Sequence, residues 1–148
     1  MNRPPAVFST VPAARRATFH VSNLPGGIAE ARAFVRVQCL KAGFADDLCH
    51  TAMLLTSEAV TNALLHAGPR ASVGITAGPS GLLVEIEDDA AGSLPVRPHQ
   101  PHPDLRAPGG RGLFILSELA TDWGSYARGR GKVVWFHLAA ERVSGPPR

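Results

Sequence analysis

The sequence is poor in long apolar runs and in cysteine, and both scarcities exclude classes of protein. No stretch approaches the roughly 20 consecutive apolar residues that a membrane-spanning helix needs, which excludes an integral membrane protein. The arginines near the N-terminus are followed by no apolar stretch, so a secretory signal is not supported. The two cysteines, Cys39 and Cys49, lack the spacing of a metal knuckle or a redox pair. We interpret them as apolar core residues and expect a reducing, cytoplasmic setting.

Lysine is also scarce, and the basic residues form no stripe. Of the 15 Lys and Arg residues only Lys41 and Lys132 are lysines, and the arginines are scattered along the chain. Nucleic-acid binding usually needs a basic stripe with aromatic side chains that stack on bases. We therefore expect no direct contact with nucleic acid. The formal net charge of +3 is compatible with an acidic protein partner.

What the sequence does contain is typical of one globular domain. Its 148 residues are 45% hydrophobic and 18% charged, which is enough to enclose a hydrophobic core. Residues 1–15 are rich in Pro, Ala and Arg and are predicted to form a flexible arm, and residues 141–148 are predicted to form a flexible tail. The domain itself is expected over residues 16–140.

The apolar spacing predicts strands and helices in that domain. Strands are expected near residues 17–21, 71–76, 82–88, 123–127 and 132–138. Helices are expected at residues 28–40, from Asp46 or Asp47 to a stop at Gly68, and directly after Gly110. Residues 93–108 contain five prolines and are too broken for a regular element. Strands joined by short turns, with helices between them, indicate a two-layer α+β sandwich whose sheet is covered on one face.

Three polar side chains follow one face of the second predicted helix. Glu58, Asn62 and His66 are spaced by four residues, so they lie one turn apart among apolar neighbours. A buried polar group without a partner costs about 1–3 kcal/mol, which favours a role in binding for this stripe. A solvated helix face is the alternative, although such faces usually carry more Lys and Arg.

An acid ends the third predicted strand. Val84, Ile86 and Asp88 point to the same side of a strand, so Asp88 follows two apolar residues onto the core face. A carboxylate there needs a hydrogen-bond donor, and the amino group of adenine is a suitable one. A turn-forming aspartate is the alternative, because Asp88 and Asp89 open a loop.

A glycine turn precedes the third predicted helix. The run Gly109-Gly110-Arg111-Gly112 lets the backbone approach a ligand closely, and the following helix N-terminus offers free N–H groups to an anion. A tight loop that merely needs glycine is the alternative, since a lone Gly-x-Gly has little specificity.

The order of these three features resembles that of the GHKL ATPases. In particular, the chain is similar to the small bacterial anti-sigma-factor serine/threonine kinases of the histidine-kinase-like superfamily. Residues 57–63 (SEAVTNA) resemble their N box, residues 88–92 (DDAAG) their first glycine box, and residues 110–113 (GRGL) their second. The resemblance covers residues 17–140 and implies the Bergerat fold, with a mixed sheet and helices on one face.

The resemblance also implies roles for individual residues. Asn62 would supply its side-chain oxygen to Mg²⁺, and Glu58 would be the catalytic base for an attacking serine hydroxyl. Asp88 would accept a hydrogen bond from adenine. Residues 93–108 would be the ATP lid, with Arg106 or Arg111 as phosphate contacts. The full set implied to bind the nucleotide is Asn62, His66, Asp88, Gly92, Gly110, Arg111, Gly112 and Leu113.

The function that the resemblance implies is ATP-dependent regulation of transcription. Such a kinase sequesters an RNA polymerase sigma factor and phosphorylates an anti-sigma-factor antagonist, and homodimers are common in the family. One position departs from the pattern, because Ala90 stands where the family has the first glycine after the aspartate. This departure favours the alternative function, a protein-interaction regulator that binds nucleotide weakly or not at all and has no kinase activity.

Overall fold

A computed structural model of the chain describes residues 2–66, 68–89 and 110–140. In these ranges the α-helices are α1 (Gly27–Lys41), α2 (Asp46–His66) and α3 (Gly110–Leu119), and two short 3₁₀ helices span Ala6–Thr10 and Ala13–Arg15. The strands are β1 (Arg16–Val21), β2 (Ala71–Gly78), β3 (Gly81–Asp88), β4 (Asp122–Arg128) and β5 (Gly131–Ala139). The sequence therefore predicted the type of each described α-helix and strand, with bounds that differ by a few residues. The predicted lid and tail lie outside the described residues.

The ends of α1 and α2 follow from local chemistry. Gly43, just after α1, has a φ of 85°, and a residue with a side chain is strained in this left-handed conformation. The chain therefore leaves the helix there. Asp46 and Asp47 lie in the first turn of α2, where a negative charge interacts favourably with the helix dipole.

The strands form one sheet in the order β1-β2-β3-β5-β4, and every pairing among the described strands is antiparallel. The expectation of a mixed sheet is wrong for these strands. The helices α1 and α2 return the chain to the end of the sheet at which β1 finished, so β2 runs antiparallel to β1. β3 and β4 run in the same direction, but the β4–β5 hairpin places β5 between them.

The main core lies between the sheet and the helices. Leu82, Val84 and Ile86 alternate onto the covered face of β3, where Leu55 and Val60 of α2 also contribute to the core. The predicted core role of other residues is confirmed by their burial, namely Cys39, Cys49, Trp123 and Trp135. Burial raises the pKa of the Cys39 thiol well above its usual range, and the neighbouring Cys49 raises it further. Both cysteines are free thiols.

The second face of the sheet is covered by the N-terminal segment, which differs from the flexible arm that the sequence predicts. Phe8 and Val11 are buried in a cluster with Leu83, Tyr126, Val133 and Trp135. The indole Nε1 of Trp135 donates a hydrogen bond to the backbone oxygen of Asn2 at 3.0 Å. The physical reason is the apolar surface on this face of the sheet, which Phe8 and Val11 remove from water.

No helix in the described parts of the chain is long and apolar enough to cross a membrane.

Candidate functional site

The polar stripe of α2 lies beside its buried face. Glu58 and Asn62 are each partly buried, while Leu55 and Ala59, three residues before them, belong to the core. Within the described residues, neither Glu58 nor Asn62 makes a side-chain hydrogen bond or an ion pair. His66 is the last residue of α2, and its side chain is not among the parts of the chain that the structure describes. The structure therefore presents a carboxylate and an amide, one turn apart, at the boundary of the core.

Asp88 is buried on the face of the sheet that the helices cover. Its Oδ2 atom lies 3.0 Å from Nζ of Lys132, and its Oδ1 atom accepts a hydrogen bond from the Lys132 backbone N–H at 3.3 Å. Lys132 is only 5% exposed. The predicted inward orientation of Asp88 is thus confirmed, and part of its hydrogen-bonding capacity is used by a cation.

Sequence reasoning missed Lys132. The signal for it was present, because Lys132, Val134 and Phe136 occupy alternate positions of β5, and the latter two belong to the core. A lysine in register with two core residues requires an acidic partner, since lysine is rarely buried without one. Nothing local to β5 identified that partner as Asp88.

Gly131 is a second residue whose role the sequence did not reveal. We interpreted it only as part of the turn between β4 and β5. A Cβ atom at this position would collide with the backbone carbonyl of Asp88 and would lie 2.5 Å from its Oδ1 atom. Glycine is therefore required because β5 begins directly against Asp88.

The strand register places Asp88 and the C-terminal end of α2 at the same end of the domain. Asp88 is opposite Ala71, the first residue of β2. Only residues 67–70 separate Ala71 from the end of α2 at His66. Since α2 lies on the same face of the sheet as the Asp88 side chain, the stripe and the acid share one side and one end of the molecule.

The C-terminal end of the third helix lies near the start of α2. Leu119, at its C-terminal end, lines a groove of about 630 Å³ together with Leu48 and Thr51 near the start of α2. The 10 residues of α3 span on the order of 15 Å, or between two and three turns. Its N-terminus is at Gly110. Free backbone N–H groups at a helix N-terminus attract anions.

Several predicted site residues cannot be placed. Gly92 and the proposed lid at residues 93–108 lie outside the described residues, as does Ala90. Gly110, Arg111, Gly112 and Leu113 begin α3, but their side chains and exposure are not described. The predicted contacts of these residues with a nucleotide stay predictions.

A separate polar network lies on the opposite face of the sheet. The Tyr126 hydroxyl donates to Glu85 at 3.1 Å and accepts from Arg128 at 2.6 Å, while Arg128 also pairs with Glu87 at 3.2 Å. Burial raises the pKa of Tyr126, and the Glu85 carboxylate raises it further. The pKa of Arg128 is also raised: burial acts to lower it, but Tyr126 and the two glutamates outweigh that effect. Because this network faces away from α2, it does not belong to the candidate site.

Together, the fold and the site define an α+β sandwich in which a polar helix stripe, a strand-end acid and a helix N-terminus share one side of the sheet. A comparison with known families matches residues 21–138 to the histidine kinase-like ATPase domain. The chain therefore belongs to the histidine kinase-like ATPase domain family. A search of the curated proteins found no match. The family match implies nucleotide binding, and it does not distinguish the anti-sigma-factor kinases from other members.

Proposed function

We propose that the chain is an ATP-binding regulator that acts as a serine/threonine kinase on an anti-sigma-factor antagonist and sequesters an RNA polymerase sigma factor. The single observation that carries the nucleotide-binding part is the side-chain placement on α2. Glu58 and Asn62 are partly buried, have no partner among the described residues and lie on the side of the sheet that Asp88 faces. Partly buried polar groups without protein partners are expected where a ligand supplies them.

The donor set fits ATP with Mg²⁺. The amide oxygen of Asn62 is the kind of hard oxygen ligand that Mg²⁺ accepts. A carboxylate offers about four lone-pair sites, so Asp88 can accept from an adenine amino group in addition to its two contacts with Lys132. The N-terminus of α3 provides N–H groups for phosphate. ATP and its Mg²⁺ would supply the transferable phosphoryl group and neutralise its charge.

The catalytic contribution of this chain would come from Glu58. One turn before Asn62, its carboxylate would accept the proton of the substrate hydroxyl. Asn62 would orient the metal relative to that base, since both side chains project from one rigid helix. Residues that reach solvent at the edge of the core are suited to this role, because the protein substrate must approach from outside.

The sigma factor and the antagonist are proposed from the motif resemblance. Residues 57–63, 88–92 and 110–113 are the parts of the chain that carry it. Phosphorylation would add a charge of about −2 to the antagonist, which is enough to weaken an interface by repulsion and desolvation. The proposed kinase would thereby control which of its two partners it holds.

One observation favours a second candidate function. The Asp88 carboxylate is already engaged by Lys132 at 3.0 Å, so the acid does not require a nucleotide to satisfy it. The domain would then act as a binding module that holds a partner protein without nucleotide. This function predicts no change in stability on addition of ATP and Mg²⁺.

Glu58→Ala tests the proposal. The variant and the native protein are titrated with ATP and Mg²⁺ in a calorimeter, and transfer of labelled phosphate to serine is followed in an extract of the source cells. We expect unchanged ATP affinity and no transfer, because Glu58 acts on the substrate proton. Glu118→Ala is the matched control, since Glu118 is an exposed helix glutamate on α3. Normal transfer by Glu58→Ala disproves the catalytic role, and absence of ATP binding by the native protein favours the binding module.

A further inference from the structure

Lys132 is the most unusual charged residue of the described chain. It is only 5% exposed and lies on a strand whose neighbouring residues on the same face, Val134 and Phe136, are core residues. Lysine is almost never buried to this degree unless it is paired. Its contacts with Asp88 are therefore part of the reason that β5 can carry a lysine at this position.

Stability alone does not account for the pair. Replacing a buried ion pair by apolar residues of similar volume is often neutral or stabilising, because burial removes both charges from water. The surrounding face of the sheet is apolar, so an apolar pair would suit it. A buried pair at the end of a strand, beside the candidate site, calls for a functional explanation.

The geometry of the contacts indicates what Lys132 does. Its Nζ atom engages Oδ2 of Asp88, and its backbone N–H engages Oδ1. One residue therefore holds both oxygens of the carboxylate. Gly131 leaves no room beside Oδ1 for a side chain, which lets β5 approach this closely. These two contacts restrict rotation of the carboxylate and so hold its plane in one orientation.

We propose that Lys132 is a positioning residue for purine recognition. It holds the Asp88 carboxylate in the orientation that accepts a hydrogen bond from the exocyclic amino group of adenine, and it thereby contributes to a preference for adenine over guanine nucleotides. Guanine carries a carbonyl oxygen at the corresponding ring position, which an acceptor-only carboxylate cannot bind. This inference rests on the proposed nucleotide-binding function.

The first test compares Lys132→Met with Lys41→Met. These are the only lysines of the chain, and Lys41 is exposed at the end of α1. Binding of ATP and of GTP, each with Mg²⁺, is measured by calorimetry. We expect Lys132→Met to lower ATP affinity about tenfold and GTP affinity about twofold or less, so that the preference for ATP falls several-fold. Lys41→Met should leave both affinities unchanged.

A double-mutant cycle distinguishes the proposed positioning role of Lys132 from a merely structural role. Such a role lowers the affinities for both nucleotides equally. If Lys132 acts through Asp88, Lys132→Met has no further effect on the ratio of ATP to GTP affinity in an Asp88→Asn background. The proposal is overturned if Lys132→Met lowers the ratio of ATP to GTP affinity equally in the native and Asp88→Asn backgrounds.

The native protein provides a second measurement that does not depend on a folded variant. Lysine labelled with ¹³C gives side-chain NMR signals from two residues, and Lys41→Arg identifies the signal of Lys41. Saturating ATP should shift the Lys132 signal, whereas saturating GTP should shift it less and neither should shift that of Lys41. A Lys132 signal that ATP leaves in place overturns the positioning role alone. A native protein that binds no ATP overturns the proposed function as well.

Discussion

Asp88 Oδ2 and Lys132 Nζ lie 3.0 Å apart with side chains that are 2% and 6% exposed, on the face of the sheet that packs against the helices. The preceding residue of β3, Glu87, points to the opposite face and pairs with Arg128 at 3.2 Å, where the side chains are 38% and 48% exposed. Two ion pairs on adjacent residues of one strand thus occupy opposite environments. Their contributions to stability should differ accordingly.

The two ion pairs provide a stability test. Lys132→Met should lower the free energy of unfolding by about 3 kcal/mol, because it leaves the Asp88 charge buried without its cation. Glu87→Gln should cost about 1 kcal/mol or less, because water and salt screen an exposed pair. Urea unfolding of both variants measures these losses. Equal losses for the two variants would contradict the assigned burial.

Two glycines of the β4–β5 turn provide a matched pair. Gly131→Ala should destabilise the protein by about 2–3 kcal/mol, because its methyl group would collide with Asp88. Gly129→Ala should cost only about 1 kcal/mol, since Gly129 has a φ of 56° and no atom lies within 4 Å of the added methyl group. Thermal unfolding distinguishes the two. A smaller loss of stability for Gly131→Ala than for Gly129→Ala would disprove the close approach of Gly131 to Asp88.

The N-terminal segment provides a third test. Phe8→Ala should cost about 3–4 kcal/mol, because Phe8 is 2% exposed in the cluster on the second face of the sheet. Val7→Ala, in the same short helix, should cost about 0.5 kcal/mol or less, since Val7 is 47% exposed. Tryptophan fluorescence should change only for Phe8→Ala, because Trp135 belongs to that cluster. Wild-type stability of Phe8→Ala would show that the segment is a loose arm.

Tyr126 should titrate above the ordinary pKa of tyrosine. Its pKa is raised by burial and by Glu85, so the stability it contributes is present below about pH 10 and is lost as the pH rises through the pKa of the folded state. The chain contains one tyrosine, so the near-ultraviolet absorbance of tyrosinate reports this residue alone. The midpoint should be higher in the native than in the urea-unfolded protein. Glu85→Gln should reduce the difference, and identical midpoints would refute the shift.

Local periodicity accounts for the elements that sequence reasoning predicted. The alternation of Val84, Ile86 and Asp88 depends only on the strand period, and it predicted which face Asp88 occupies. The prediction of a mixed sheet was wrong because the order of strands in a sheet is not a local property of the sequence. In the structure, β5 lies between β3 and β4. The covering of the second face by Phe8 was missed because the nearest apolar partners, such as Trp135, lie at the other end of the chain.

The sequence by itself determined that Glu58 and Asn62 share one face of a helix and that a glycine turn opens α3, because helix geometry and glycine's freedom act within a few residues. Only the tertiary structure decided that Asp88 faces Lys132, which is 44 residues away along the chain, and that Gly131 must lack a side chain. Those relationships depend on the register between β3 and β5. Register is set by packing of the whole sheet against its core, which no segment of the sequence contains alone.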